Sequence, residues 1–306
     1  MEIGSSETTR KALFFNFEEY EKIKPSHIIT LDTVFLEWFI GFTEGDGSFI
    51  MKNPTVSNEK IQLVFTIQQK DVKLLQKIKT TLGFGSVSLQ KHTQLYRYDV
   101  FKLNDITRLI HLFNGNIVLQ KVWKRFEIWV NTYNYLNTTR AAGVFSTKVI
   151  ICKPYSRECC LQSGWLSGFI EADGGFYANF RQHLKSRLGY CFSFKFYITQ
   201  KCEKKVLETI GNLFRACCLK NRKPISLYKY KSKTHVYRLD ISNHNEIGLI
   251  ISYLDLYPLK GKKHITFLRW KRVFNQRTKL IENVDLSEKS LLKLKNLINA
   301  IQNKKS

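Results

Sequence analysis

WFIGFTEGDGSF, from Trp38 to Phe49, and WLSGFIEADGGF, from Trp165 to Phe176, are two copies of one pattern in a single chain. A repeat fixes architecture before any local reading does, because each copy must build the same unit. The residues after each copy repeat in kind as well. An alternating run comes first, IQLVFTIQQK over 61–70 and FSFKFYITQK over 192–201, and both end in Gln-Lys. A helical pattern succeeds it, DVKLLQKIKTTLG from Asp71 and CEKKVLETIGNLF from Cys202. Two short strand patterns come next, SVSLQK and LYRYDVF in one copy, PISLYKYK and HVYRLDI in the other. Helices close each half, with Phe126–Trp129 (FEIW) matching Phe267–Trp270 (FLRW). This order predicts an α+β chain of two pseudo-symmetric αββαββα halves with antiparallel sheets.

The boundaries are set by where the pattern starts and stops. Residues 1–25 are an N-terminal extension, 26–137 the first half and 162–280 the second. Between them, 138–161 has no regular period and contains Gly143 and Pro154, which marks a linker. A final stretch from Ser287, SEKSLLKLKNLINAIQNKK, has apolar residues at helical spacing, so 281–306 is read as a C-terminal helix.

Each motif reads as a helix, with Asp32 a suitable N-cap for the first. Gly41 and Gly45 lie four apart on one face, and Gly168 and Ala172 hold the same places in the second copy. Glycine inside a helix costs about 1 kcal/mol relative to alanine. Two helices that carry the same unfavourable feature are best explained by packing those faces against each other, closer than the 8–10 Å that side chains normally impose. An acid followed by glycine ends each copy, Asp46-Gly47 and Asp173-Gly174. If the helices pair in parallel, two carboxylates and nearby backbone carbonyls converge. Crowded carboxylates bind divalent cations, and oxygen ligands suit Mg²⁺. Read singly, Asp-Gly is an ordinary turn; the doubled context is what argues for a metal site.

The charge points to a polyanion. Lys and Arg number 49 against 25 Asp and Glu, a formal net charge of +24 over 306 residues. Nucleic acid is the first candidate and an anionic membrane the second. No stretch holds the roughly 18 apolar residues of a spanning helix, and the basic residues are spread along the chain, so no membrane partner is expected. Residues 1–23 lack a long apolar run and contain several acids, unlike a transit peptide. The seven Cys, including the pairs Cys159–Cys160 and Cys217–Cys218, show no zinc spacing and read as reduced, mostly buried thiols.

FIGFTEGDG (Phe39–Gly47) and LSGFIEADG (Leu166–Gly174) resemble the nine-residue motif of the LAGLIDADG homing endonucleases, in the single-chain, two-motif form. The resemblance implies a monomer that hydrolyses double-stranded DNA at a long asymmetric site, with motif helices packed at the interface of two halves and the sheets forming a DNA-binding saddle. It implies metal ligation by the acid at the eighth motif position, Asp46 and Asp173, with carbonyls of Gly45 and Ala172 nearby and Glu44 and Glu171 in support. It implies Mg²⁺ as cofactor, Mn²⁺ as a substitute, and Ca²⁺ as an ion that supports binding without cutting. It implies further catalytic residues: Gln69 and Gln200, which end the second strands, and Lys260. The first-half position aligned with Lys260 is Leu119, with Lys121 close by. Strand parity agrees for the glutamines. Ile61, Leu63, Phe65 and Ile67 lead to Gln69 on one face, as Phe192, Phe194, Phe196 and Ile198 lead to Gln200. Such proteins are encoded in introns of mitochondria or chloroplasts; a mitochondrial location is expected. Relatives that act as intron RNA maturases make RNA the alternative partner, and relatives that act as transcription regulators make a third reading.

The opposite strand face carries the expected DNA contacts. In the first half these are Ser48, Ile50, Lys52, Gln62, Thr66 and Gln68, and in the second Tyr177, Asn179, Arg181, Ser193, Lys195 and Tyr197. Most can hydrogen-bond to base edges in a major groove.

Overall fold

A computed structural model of the chain describes residues 15–52, 61–140, 149–155, 158–182, 190–216, 226–229, 235–282 and 288–302. The repeat appears as two runs of the same elements. The first comprises α1 (Glu18–Ile23), α2 (Thr33–Asp46), β1 (Gly47–Lys52), β2 (Gln62–Gln69), α3 (Val72–Leu82), β3 (Ser86–Gln90), β4 (Leu95–Val100), α4 (Leu103–Phe113) and α5 (Gln120–Arg140). The second comprises α6 (Trp165–Asp173), β5 (Gly174–Gln182), β6 (Tyr190–Lys201), α7 (Lys204–Ala216), β7 (Ser226–Lys229), β8 (Val236–Ile241), α8 (His244–Leu256) and α9 (Lys263–Glu282), and α10 (Glu288–Gln302) comes last. Each closing helical region is thus a pair, α4 with α5 and α8 with α9.

The strands form two four-stranded antiparallel sheets of identical order, β1-β2-β4-β3 and β5-β6-β8-β7. Two compact units result, Met1–Ala172 and Asp173–Ser306. The division falls at the end of α6 because that helix packs on α2.

Local chemistry explains the element ends. Asp32 caps α2 by accepting from Phe35 N at 2.8 Å, which satisfies an N–H that the first turn leaves without a partner. Asp71 caps α3 in the same way through Leu74 N. Gly83 stops α3 in the left-handed conformation, φ 79°, which a Cβ would disfavour.

Both cores are built from the same aromatic positions. In the first unit Phe49 meets Phe65, Phe126 and Trp129 at centroid separations of 5.1–5.4 Å. In the second Phe176 meets Phe196, Phe267 and Trp270 at 5.1–5.9 Å. The indole N–H of each tryptophan donates to the strand carbonyl one residue past its phenylalanine, Trp129 to Ile50 at 3.2 Å and Trp270 to Tyr177 at 3.1 Å. The buried polar tip therefore sets the register of helix on strand, a second job beside filling the core.

The flanking segments are anchored to these units. Tyr20 of α1 is buried, and Arg108 donates to the Ile23 carbonyl at 2.8 Å. The described part of the linker is held by asparagines: Asn134 pairs with Ile150 through both its amide oxygen and nitrogen, and Asn114 bonds Ile151 and Lys153. Helix α10 packs on α9 and β5 through Leu294, Ile298 and Ile301, and Arg269 donates to the Ala300 carbonyl at 3.0 Å. Among the described cysteines none is in a disulfide, but only Cys159 and Cys160 are buried. Cys202, the residue after β6, is exposed and has a φ of 63°. Gly143, Ser287 and the Cys217–Cys218 pair lie outside the described residues.

Candidate active site and nucleic-acid interface

Helices α2 and α6 touch through backbone. A methyl group on Gly41 would overlap the carbonyl oxygen of Trp165 and stand 2.9 Å from Phe169 N. A methyl group on Gly168 would overlap the carbonyl oxygen of Trp38 and stand 2.7 Å from Phe42 N. Gly164, just before α6, faces Val34, near the start of α2. Partners advance together, 34 with 164 and 38 with 168, so the helices run parallel and their C-terminal ends lie on one side. Gly45 and Ala172, at the last turns, are both half-buried. Gly41 and Gly168 therefore do what the small-residue spacing implies.

The sixth motif residue has a structural task. Glu44 is buried, and its carboxylate accepts from Val118 N at 3.0 Å, Leu119 N at 2.5 Å and the Trp165 indole at 2.8 Å. It thus pins the entry of α5 and the start of α6 to α2. Three donors on one buried carboxylate account for its burial without a lysine or arginine among those partners. Glu171 is buried in the second motif as well.

Asp46 and Asp173 are the final residues of α2 and α6, and both are half-buried. Each carboxylate meets the glutamine that parity placed on its side of the sheet. Gln69 Nε2 donates to Asp46 Oδ2 at 2.6 Å, and Gln200 Nε2 donates to Asp173 Oδ2. The last carbonyls of a helix carry the negative end of its dipole, so those of Gly45 and Ala172 are oxygens that could join the acids around a cation. Carboxylate and carbonyl oxygens are a hard donor set, which fits Mg²⁺ or Ca²⁺ and not a thiophilic metal. Lys260 is half-buried in the turn before α9. A lysine absent from the expected set, Lys263, reaches the second motif: its ammonium donates to the Gly174 carbonyl at 2.8 Å. The run LKGKKH holds three lysines, and the start of α9 at Lys263 is what brings this one onto the Gly174 carbonyl.

The outward faces of the sheets carry the expected DNA-contacting residues with unequal access. Lys52, Gln62, Gln68 and Arg181 are exposed. Ser48, Ile50, Tyr177, Asn179, Ser193, Lys195 and Tyr197 are half-buried. Thr66 is almost covered, at 9%, and its neighbour on the same face, Val64, is buried too. The third strands of the sheets add charged residues beyond the expected set. Arg97 Nε lies 2.6 Å from Asp99 Oδ2, and Arg238 Nε lies 2.8 Å from Asp240 Oδ1. Lys195 Nζ also reaches Asp240, at 2.7 Å. Burial works to raise the Asp240 carboxyl, but the hydrogen bonds and charges of Lys195 and Arg238 outweigh it and hold its pKa below the ordinary value. Arg-x-Asp recurs in YRYDV and YRLDI, and that repeat is the signal by which the pairs could have been found.

Parallel helices in backbone contact, each ending in an acid bonded to a strand glutamine, define a two-motif α+β protein. Residues 39–133 and 166–274 match the family model for the LAGLIDADG endonuclease. The chain belongs to that family. It is 32% identical over 242 residues to "probable intron-encoded endonuclease 4" of Neurospora crassa, which covers 78% of this chain and 39% of that protein. This chain thus spans well under half of that relative's length. It is 26% identical over 311 residues to "probable intron-encoded endonuclease Cox1-I1b" of Schizosaccharomyces pombe, covering 96% of this chain and 76% of that protein. Among solved structures, the meganuclease I-SmaMI bound to uncleavable DNA superposes with a TM-score of 0.71 at 18% identity, over 89% of this chain and 97% of that one. At that identity the likeness is one of fold.

Proposed function

We propose that this chain is a site-specific double-strand DNA endonuclease that acts as a monomer on a long asymmetric target, encoded in a mitochondrial intron. The observation that carries the reading is the doubled arrangement of Asp46 with Gln69 and Asp173 with Gln200 at the ends of the two motif helices. Asp46 and Asp173, with the carbonyls of Gly45 and Ala172, would hold divalent cations, and Mg²⁺ held there would supply an activated water and neutralise charge on the phosphate oxygens. Gln69 and Gln200 fix the carboxylate orientation by donating to Oδ2 of each. Lys260, with Lys263 beside it, places positive charge near the second motif. Mn²⁺ substitutes for Mg²⁺, and Ca²⁺ supports binding without cutting.

Ser48, Ile50, Lys52, Gln62, Thr66 and Gln68 face one part of the target, and Tyr177, Asn179, Arg181, Ser193, Lys195 and Tyr197 the other. Two motifs in one chain support a monomer. The excess of basic residues supplies the phosphate contacts, which set position rather than sequence.

The test is incubation of the chain with Mg²⁺ and duplex DNA spanning the intronless form of its host gene. The expected result is one double-strand cut near the intron insertion point. An intact duplex, combined with tight binding of the intron RNA, would replace this reading with that of a splicing cofactor.

A further inference from the structure

The second sheet contains a layered set of side chains for which the first has only a remnant. In cross-strand register, Gly175 lies opposite Tyr197 and Tyr197 opposite Asp240. The same places in the first sheet hold Ser48, Thr66 and Asp99. A Cβ on Gly175 would run into the Tyr197 ring, so glycine at this position is what admits the ring. The ring in turn supports Arg238, whose guanidinium carbon stands 3.7 Å from the ring centroid, a close cation–π contact. Asp240 holds that guanidinium from one side at 2.8 Å and the Lys195 ammonium from the other at 2.7 Å. Lys195 lies opposite Tyr177 in register, with its ammonium 5.5 Å from that ring. The side chain of Arg238 is only 13% exposed and that of Lys195 32%, so both cations are held in place. Tyr177, Ser193, Lys195 and Arg238 line one open cleft on this sheet.

The first sheet keeps the Arg97–Asp99 pair and loses the rest. Val64 and Ile50 stand where Lys195 and Tyr177 stand, and Thr66 replaces the ring. Asp99 therefore carries one cation, and its Oδ1 has no hydrogen-bond partner among the described residues.

We propose, resting on the DNA-cutting reading above, that Asp240 is a positioning residue for target specificity, holding Lys195 and Arg238 as a preorganised pair of donors that selects guanine on the second sheet's side of the target. Guanine alone presents two acceptors, N7 and O6, in the major groove, and lysine and arginine are the side chains that pair with them. Cations held by stacking and a shared carboxylate lose little freedom on binding, which is where discrimination is gained. The first sheet lacks the second cation and reads its side without this preference.

The experiment is selection of bound duplexes from a randomised library in Ca²⁺, then single-base profiling, for the full chain and three variants. The unsubstituted chain is expected to show guanine preferred at adjacent positions on one side. Asp240→Asn keeps the shape and removes the charge; discrimination at those positions should fall by about tenfold, within the range of a lost base contact, with the other side unchanged. Lys195→Met, which leaves Asp240 with Arg238, should weaken the same positions and is informative even if Asp240→Asn fails to fold. Val64→Lys should add guanine preference on the opposite side. A profile in which Asp240→Asn and Lys195→Met lower every position evenly, with a lowered melting temperature, means a purely structural cluster and overturns the proposal. Failure of the unsubstituted chain to enrich any duplex overturns the DNA reading itself and is distinguishable from that result.

Discussion

Replacing Gly168 with alanine separates two accounts of the motif glycines by the sign of the effect. In a helix that merely tolerates glycine, alanine stabilises by about 1 kcal/mol. Here the added methyl overlaps the Trp38 carbonyl and stands 2.7 Å from Phe42 N. Carbon contacts relax only near 3.5–4.0 Å, so relief of the carbonyl overlap requires α2 and α6 to part by about 1.5–2 Å. Both opposing atoms are backbone inside a helix and cannot rotate away as a side chain would. Overpacking of a core costs about 1–3 kcal/mol, and this site belongs at the upper end. Less the propensity gain, the net expectation is a loss of about 2 kcal/mol, or roughly 4–8 °C in melting temperature. Gly41→Ala, against Trp165 and Phe169, should behave alike. Denaturant unfolding of the full chain measures the loss, and a cleavage assay on the same samples should show activity falling further than stability, because the acids at the helix ends move with the helices. Stabilisation by either alanine would refute the backbone contact and the reasoning built on it.

Other consequences can be measured independently. Glu44→Gln leaves donors facing an amide in a buried site, so unfolding free energy should drop by about 2–4 kcal/mol, on the scale of lost charged hydrogen bonds; an unchanged midpoint would contradict its role in pinning α5. DNA affinity should fall about 10³- to 10⁵-fold between about 50 and 200 mM salt if some 6–10 phosphates are neutralised, and a flat titration would leave the +24 charge unexplained. Lys52→Ala should relax base preference on one flank of the target and Asn179→Ala on the other, each by about 1–3 kcal/mol at its position; changes on the same flank would contradict the assignment of strands to half-sites.

Much of this molecule is legible in local pattern. The motif glycines predict the helix contact because backbone approach needs small residues at one spacing. Gln69 and Gln200 are implied by the family resemblance, and strand alternation places each on the side of its acid. Asp32 is readable as a cap for the same local reason. What escapes is whatever depends on a neighbour distant in sequence. Glu44 reads only as a supporting acid, and its structural task shows once Val118, Leu119 and Trp165 are seen around it. Thr66 and Val64 share the outward face yet are covered, which strand alternation alone does not reveal. Arg238 and Asp240 look like scattered charges until β8 is laid beside β6, where Tyr197 and Lys195 complete the set. Lys263 joins the expected set only once the first turn of α9 is placed against Gly174.

The central claim is that Asp46 and Asp173 are the metal-binding acids of a DNA-cutting site, and the most direct test is to measure cleavage and binding separately for Asp46→Asn, Asp173→Asn and the double variant. Asparagine keeps the shape and the hydrogen-bonding capacity toward Gln69 and Gln200 but removes the charge that holds Mg²⁺. Cleavage of the selected target in Mg²⁺ is predicted to vanish, while affinity in Ca²⁺ stays within about tenfold, or 1.4 kcal/mol, of the unsubstituted chain. A double variant that cuts at the unsubstituted rate would contradict the account.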